Sequence, residues 1–127
     1  MNAKMLSLTA LAVGMALSAA SAATEKVNGV WMRDDGNARV RIAPCGSDIC
    51  ATNLWIKDTS QGEEVGDRLV MTLKPEGDKL TGTAFDAKRD RKMSMTITVG
   101  ENSLHTRGCI LADMLCRSVG WTRAKGE

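Results

Sequence analysis

The chain has 127 residues, of which 25% are charged, with 17 Lys and Arg against 15 Asp and Glu, four Cys, three Trp, one Phe and no Tyr. This length suffices for one domain and excludes two domains with separate cores. The balanced, mixed charge excludes an acidic tail, a polybasic arm and intrinsic disorder, and an aromatic content of 3% argues against nucleic acid as a partner.

The first 22 residues have the pattern of a secretory signal peptide. Lys4 precedes an apolar run over residues 5–17, and a small-residue stretch ends at Ala20-Ser21-Ala22. The run is too short for a membrane anchor, which needs about twenty apolar residues. We therefore predict cleavage after Ala22 and export of residues 23–127 to the periplasm as a soluble domain. This domain should have no membrane span and, since no Cys follows the cut, no lipid anchor.

Short β-type runs follow at hairpin spacing. They are separated by turn-forming segments such as Asp34-Asp35-Gly36-Asn37 and Pro75-Glu76-Gly77-Asp78. The predicted strands cover residues 29–33, 38–44, 50–57, 68–74, 79–85, 92–99, 103–109 and 116–123. Eight such strands, within about residues 28–123, indicate a single all-β domain, an antiparallel barrel or sandwich. We expect no helix of ten or more residues after the signal peptide.

Four cysteines in an exported chain imply two disulfides, for which three pairings exist. Each of two sequence-adjacent pairs brackets a short turn, which favours Cys45 with Cys50 and Cys109 with Cys116, joined at facing positions of hairpin arms. A zinc site is disfavoured, because neither pair has the two-residue spacing usual for zinc.

In simple register, alternation divides the arms of these two hairpins into two faces. The residues expected opposite the cysteines are Val40, Ile42, Trp55, Leu104, Val119 and Trp121, and those expected beside the cysteines are Arg39, Arg41, His105 and Arg107. Leu54 and Ile56 fall on the arginine side of this scheme. A bulge near Pro44 would shift the register by one residue.

Two further segments allow more than one interpretation. Met93, Met95, Ile97 and Val99 alternate with polar residues. They predict either core packing or a pliable wall of a ligand pocket, since Met adapts to varied apolar shapes. The charged segment 86–92 predicts a solvated turn, with contact to an anionic partner as the alternative.

Several signatures near both ends of the mature chain resemble the bacterial domain of unknown function 2147 family. They are Gly29-Val30-Trp31, Val40-Arg41-Ile42-Ala43-Pro44-Cys45-Gly46 with Cys50, Arg107-Gly108-Cys109, Cys116-Arg117-Ser118 and Trp121-Thr122-Arg123. The resemblance implies an exported, lipocalin-like (calycin-type) eight-stranded barrel, and it implies no activity. The middle of the chain departs from the family pattern, with Leu80-Thr81-Gly82-Thr83 where a Trp-Gly-Gly stretch is typical. A later Pro-x-x-Gly-Lys-x-Tyr turn is also replaced, so no ligand identity is carried over.

The Gly29-x-Trp31 start and the late Arg123 are also similar to the wider lipocalin pattern, in which an arginine packs over the first-strand tryptophan. This resemblance implies that Trp31 and Arg123 close the barrel floor by a cation–π contact, a structural role worth about 0.5–2 kcal/mol.

The leading functional hypothesis is a barrel that binds a small apolar or amphipathic ligand in its mouth. The candidate lumen residues are Val40, Ile42, Trp55, Met93, Met95 and Leu104. The alternative is an envelope protein-interaction module, an inhibitor or stress-related factor, with a filled barrel and an arginine face of Arg39, Arg41 and Arg107 against an acidic partner. A lumen of several hundred cubic ångströms would favour the first hypothesis, and a filled barrel the second.

No catalytic residue, metal or cofactor is predicted. The single histidine, His105, lies in a predicted strand with no nucleophile motif beside it. The acidic pairs Asp34-Asp35 and Glu63-Glu64 fall in predicted turns, where acids serve turn geometry and solubility. Cys45 and Cys50 lack the two-residue spacing of thiol oxidoreductases. The sequence does not specify an oligomeric state.

Overall fold

A computed structural model describes residues 18–125 of the protein. The elements of this part of the chain are α1 (Ser18–Lys26), β1 (Gly29–Arg33), β2 (Ala38–Cys45), β3 (Asp48–Ile56), β4 (Arg68–Glu76), β5 (Lys79–Asp86), β6 (Arg91–Val99), β7 (Ser103–Ile110) and β8 (Leu115–Arg123). Residues 1–17 of the predicted signal peptide lie outside the described residues, and cleavage after Ala22 stays a prediction.

The eight strands form a closed antiparallel barrel in which each strand pairs with the next along the chain. Closure comes from the first and last strands, where Trp31 pairs with Arg123 and Arg33 with Trp121. Closure leaves no unpaired edge along the sheet. The all-β prediction is confirmed, and of its two alternatives the barrel is correct.

Up-and-down order gives the barrel two distinct ends. One end, here called the mouth, carries the β1–β2, β3–β4, β5–β6 and β7–β8 connections. The other end, called the floor, carries α1, the remaining three turns and the residues after β8. Inward side chains alternate along the strands, as in β6, where Met95, Ile97 and Val99 are buried. The strict alternation predicted for residues 93–99 is therefore confirmed.

The helix α1 plugs the floor. Ala23 and, just after the helix, Val27 are buried in the core, and the Val27 carbonyl accepts a hydrogen bond from Trp31 Nε1 at 2.9 Å. The predicted export segment ends at Ala22, and no element is predicted for residues 23–26. One turn of helix beyond that point is too short to show a 3.6-residue period.

Both predicted disulfides are present, Cys45–Cys50 and Cys109–Cys116. Cys109 and Cys116 are direct register partners, as expected. Cys45 instead pairs with Asp48 and Cys50 with Ala43, so the first disulfide crosses the hairpin diagonally. The prediction of facing positions is wrong for this pair. One disulfide braces a floor turn and the other a mouth turn.

A bulge in β3 corrects the face predicted for Trp55. The register shifts between Arg39 and Val40, which pair with Trp55 and Asn53 and leave Leu54 as the extra residue. Trp55 therefore lies outside the barrel beside Arg39 and is 42% exposed, whereas Ile56 is buried inside at 9%. The bulge lies at this position and not near Pro44. An extra residue reverses the alternation only beyond itself, so only the residues after Leu54 change faces.

Within residues 18–125, no helix combines the length and the apolar character that crossing a membrane requires.

Candidate functional site

The barrel is hollow toward its mouth. A cavity of about 770 Å³ opens there. Its wall is built by inward side chains of the strands. The apolar members are Trp31, Val40, Ile42, Ala51, Leu69, Met71, Met93, Met95, Ile97 and Trp121. Four of the six candidate lumen residues, Val40, Ile42, Met93 and Met95, thus line this space.

Two of the candidate lumen residues do not line the cavity. Trp55 lies on the outer surface because of the β3 bulge. Leu104 points inward but is 3% exposed and packs in the solid core near the floor. Trp121, its register partner, lines the cavity instead. The predicted alternation already placed Trp121 on the inner face, and that signal was sufficient to find it.

Two contacts position the side chains of the cavity wall. Gly108 has inward parity in β7, and a Cβ built there would lie 3.2 Å from Met93 Sδ and 3.5 Å from Met95 Cε. The two methionines therefore fill the volume that a larger residue would take. Trp121 is held against the wall, because its Nε1 donates a hydrogen bond to Thr106 Oγ1 at 3.0 Å.

The floor of the cavity is the ring of Trp31, which Arg123 covers from below. The guanidinium carbon lies 4.2 Å from the ring centroid, so the predicted cation–π contact is present. Arg123 also donates hydrogen bonds to the carbonyls of Lys26, Asn28 and Glu101. One side chain therefore links the last strand, the end of α1 and the β6–β7 turn.

Residues 57–67, here called the mouth loop, border the opening and are anchored on one side by Arg33. Arg33 Nη1 and Nη2 donate to the two Glu63 oxygens at 2.6 and 2.9 Å, and its Nε donates to Asp35 at 3.0 Å. Hydrogen bonding by Arg33 lowers the pKa of both carboxyls. Asn37 adds a hydrogen bond to Glu63 at 3.2 Å and exchanges two with the backbone of Asp58.

The β5–β6 turn anchors the other side of the mouth loop. Lys88 contacts Glu64 and Asp67, while Arg89 donates to Asp67, Asp86 and the Gly62 carbonyl. Desolvation alone would raise the pKa of Asp67, but hydrogen bonds from Lys88, the Glu64 amide and Arg89 together lower it. Segment 86–92 is thus a solvated turn that also anchors the mouth loop. Glu63 and Glu64, which the sequence assigns to turn geometry and solubility, bind Arg33 and Lys88.

Three arginines at the mouth have a different environment. Arg68, Arg91 and Arg117 line the cavity. In the described part of the chain, none of their side chains has a carboxylate within 4.0 Å or donates a hydrogen bond. Arg91 and Arg117 have inward parity in β6 and β8.

The remaining polar candidates lie elsewhere. Arg39, Arg107 and His105 are exposed on the outside of the barrel, on the faces predicted for them. Among residues 18–125, no group of three or more His, Cys, Asp or Glu is arranged to hold a metal ion.

Comparison with known proteins identifies one family. The family described as "Uncharacterized protein conserved in bacteria (DUF2147)" matches residues 29–123, which contain all eight strands. No curated protein matches the chain, and no solved structure matches it either.

Proposed function

Since the chain belongs to the bacterial family of uncharacterised proteins DUF2147, whose name carries no activity, we propose from its own cavity that it binds a small apolar or amphipathic molecule. The observation that carries this proposal is the 770 Å³ cavity, which combines ten apolar side chains with polar and charged residues around its mouth. Ligand pockets commonly have volumes of about 300–1,000 Å³, mostly apolar walls and a few polar groups. The cavity favours this hypothesis over an interaction module with a filled barrel.

The energetics of packing support the same proposal. An eight-stranded barrel is just wide enough for its own side chains to fill it, and interiors normally pack without large voids. Apolar residues that line a void lose dispersion contacts, so a filled barrel would be the more stable solution. A ligand that occupies the lumen would supply the missing contacts to Trp121, Met93 and Met95.

We propose binding and not catalysis. Carboxylates at the mouth are engaged by arginines, as Glu63 is by Arg33 and Asp86 by Arg89. The Thr106 hydroxyl accepts from Trp121 Nε1 and donates to the Val119 carbonyl at 3.5 Å. These groups orient neighbouring side chains, which differs from a nucleophile poised beside a base.

The proposed location is the periplasm, after cleavage behind Ala22. Two disulfides support an oxidising compartment, because cytosolic thiols are kept reduced. Intact-mass measurement of the protein recovered from a periplasmic extract tests this part. A mature chain beginning at Ala23 is expected, and a full-length chain retained in the cytosol would contradict it.

The ligand proposal is tested with tryptophan fluorescence. Trp31 and Trp121 line the cavity, whereas Trp55 lies outside. In a Trp55→Phe variant, all emission comes from the two cavity tryptophans. Adding the lipophilic dye N-phenyl-1-naphthylamine should quench this emission by energy transfer, and a lipid extract of the native protein should displace the dye.

A matched control keeps the surface tryptophan among the reporters. In Trp121→Phe the emission comes from Trp31 in the cavity and Trp55 on the surface, so a smaller fraction of it should be quenched on dye binding. The proposal fails if the Trp55→Phe protein shows no saturable change with the dye and an organic extract of the purified protein contains no small lipophile.

A further inference from the structure

We infer that the ligand of this cavity carries an anionic headgroup, a carboxylate or a phosphate, which Arg91 and Arg117 bind at the mouth. The inference rests on the proposed function and adds the chemical class of the ligand. It follows from where these two side chains lie and from which polar groups at the mouth already have partners.

Both arginines line the cavity and lie on the same strand faces as its apolar residues. Arg91 begins β6 and has the parity of Met93 and Met95. Arg117 has the parity of Trp121 in β8 and lies four positions before it, about 13 Å along an extended strand. A ligand tail beside Trp121 would therefore place its other end near Arg117.

The carboxylates that line the mouth already accept hydrogen bonds. Arg33 donates to Asp35 and Glu63, and Arg89 donates to Asp67 and Asp86. The fifth, Asp58, accepts from the Ser60 amide at 2.9 Å.

An acidic residue near Arg91 and another near Arg117 both take their hydrogen bonds from other residues. Asp86 is the register partner of Arg91, but its carboxylate takes its hydrogen bonds from Arg89. Arg117 helps lower the pKa of Asp35 through its charge, while Arg33 provides the hydrogen bonds. Among the described cavity residues, those with no oppositely charged side chain within 4.0 Å are Arg68, Arg91, Arg117 and Asp58, so three of these four charges are cationic.

The chemistry of these groups selects an anion. A guanidinium offers five N–H donors in a planar fork that matches carboxylate and phosphate oxygens. Such charge-assisted hydrogen bonds are about twice as strong as neutral ones. A neutral alcohol gains less from the same donors, and an ammonium headgroup is repelled. With an apolar lumen below, the site fits an amphiphile with one anionic end.

The test compares probes that share a tail and differ in the headgroup. Each probe is titrated, below its micelle concentration, against N-phenyl-1-naphthylamine bound to the mature protein. The probes are dodecanoate, dodecyl phosphate, dodecanol and dodecylamine. We expect both anions to bind at least about tenfold more tightly than dodecanol, and dodecylamine to bind most weakly. The ratio between dodecanoate and dodecyl phosphate identifies the preferred headgroup.

Variants assign the preference to the two arginines. The Arg91→Gln, Arg117→Gln double variant should lose the preference for anions and retain its affinity for dodecanol. Arg107→Gln, which removes an exposed arginine on the outer face of β7, should retain the wild-type preference. Thermal unfolding checks that all variants fold.

The outcomes separate the inference from the proposed function. If dodecanol and the anions bind equally, or if the double variant keeps the preference, the anionic headgroup is wrong while lumen binding stands. If no probe displaces the dye and the dye itself does not bind, the proposed function is wrong and the inference falls with it.

Discussion

Arg33 holds the Glu63 carboxylate through two parallel hydrogen bonds of 2.6 and 2.9 Å, which join the end of β1 to the mouth loop. The two residues are 30 positions apart in sequence. Arg33 follows Trp31 by two positions on the same face of β1, so the residue that anchors the loop is adjacent to the cavity floor. A substitution that displaces the mouth loop can therefore also shift the cavity floor, because Arg33 and Trp31 belong to the same strand.

Glu63→Gln should loosen the mouth loop. The neutral amide cannot replace a bidentate carboxylate, and it leaves the Arg33 guanidinium, whose side chain is 11% exposed, with only Asp35 as an ionic partner. We expect a loss of about 1–2 kcal/mol in the free energy of unfolding and faster hydrogen exchange in residues 57–67. Urea unfolding and exchange mass spectrometry measure the two effects.

Glu101→Gln is the matched control for that substitution. Glu101 pairs with Lys26 at 3.5 Å, but its side chain is 80% exposed, so removing its charge should change stability by less than about 0.5 kcal/mol. Equal effects of the two substitutions would show that the Arg33 pair contributes no more than an ordinary surface contact.

The same ion pair should make stability depend on pH. The pKa of Glu63 is lowered from its ordinary value of 4.5, first by the hydrogen bond from Arg33. Because the folded-state pKa is lowered, the ion pair contributes fully to the free energy of unfolding above about pH 4.5. This contribution is lost as the pH falls through the folded-state pKa. Protonated Glu63 then resembles Gln. The difference in Tm between wild type and Glu63→Gln should be constant from about pH 7 to pH 5 and shrink below it. A difference that grows on acidification would contradict this.

Arg123→Ala should open the barrel floor. The change removes the cation over Trp31 and donors to the carbonyls of Lys26, Asn28 and Glu101. We expect a loss of about 2–3 kcal/mol, measured by thermal and urea unfolding. Arg123→Lys keeps a cation but lacks the planar fork, so its loss should be intermediate. An unchanged Tm in Arg123→Ala would refute the structural role.

The local features of this fold were predictable from the sequence. Alternation over residues 93–99 and the turn chemistry of Asp34-Asp35-Gly36-Asn37 depend on neighbouring residues only, and both predictions agree with the structure. Closure of the barrel depends on Trp31 pairing with Arg123 at the other end of the chain, which no local pattern encodes. Alternation alone therefore left barrel and sandwich as alternatives, and the resemblance favoured the barrel.

Only part of the candidate site was predicted, because alternation reports the direction of a side chain only where its strand is regular. Inward parity identified Val40, Ile42, Met93 and Met95 because their strands are regular there. Trp55 was misplaced because one extra residue, Leu54, reverses the alternation beyond the bulge. The contacts that anchor the mouth loop were missed because they join residues 21 to 30 positions apart in sequence, where a lone acidic residue has no visible partner.

Two inward glycines should respond differently to the same substitution. A Cβ at Gly82 would overlap the Thr72 carbonyl oxygen and lie 3.1 Å from Leu73 Cα, both of them backbone atoms that cannot move without distorting β4. At Gly108 the nearest atoms, Met93 Sδ and Met95 Cε, belong to flexible side chains. Gly82→Ala should therefore lower the free energy of unfolding by about 2–4 kcal/mol and Gly108→Ala by less than about 1 kcal/mol.

Gly108→Ala should also change the cavity itself. The new methyl group pushes the two methionines toward the lumen, so the affinity for the lipophilic dye should fall although the fold is retained. Parallel urea unfolding and dye titration of Gly82→Ala and Gly108→Ala measure both quantities. If Gly108→Ala leaves dye affinity at the wild-type value, the methionine wall does not contact the ligand. If it destabilises the protein as much as Gly82→Ala, the wall is packed too rigidly to adapt.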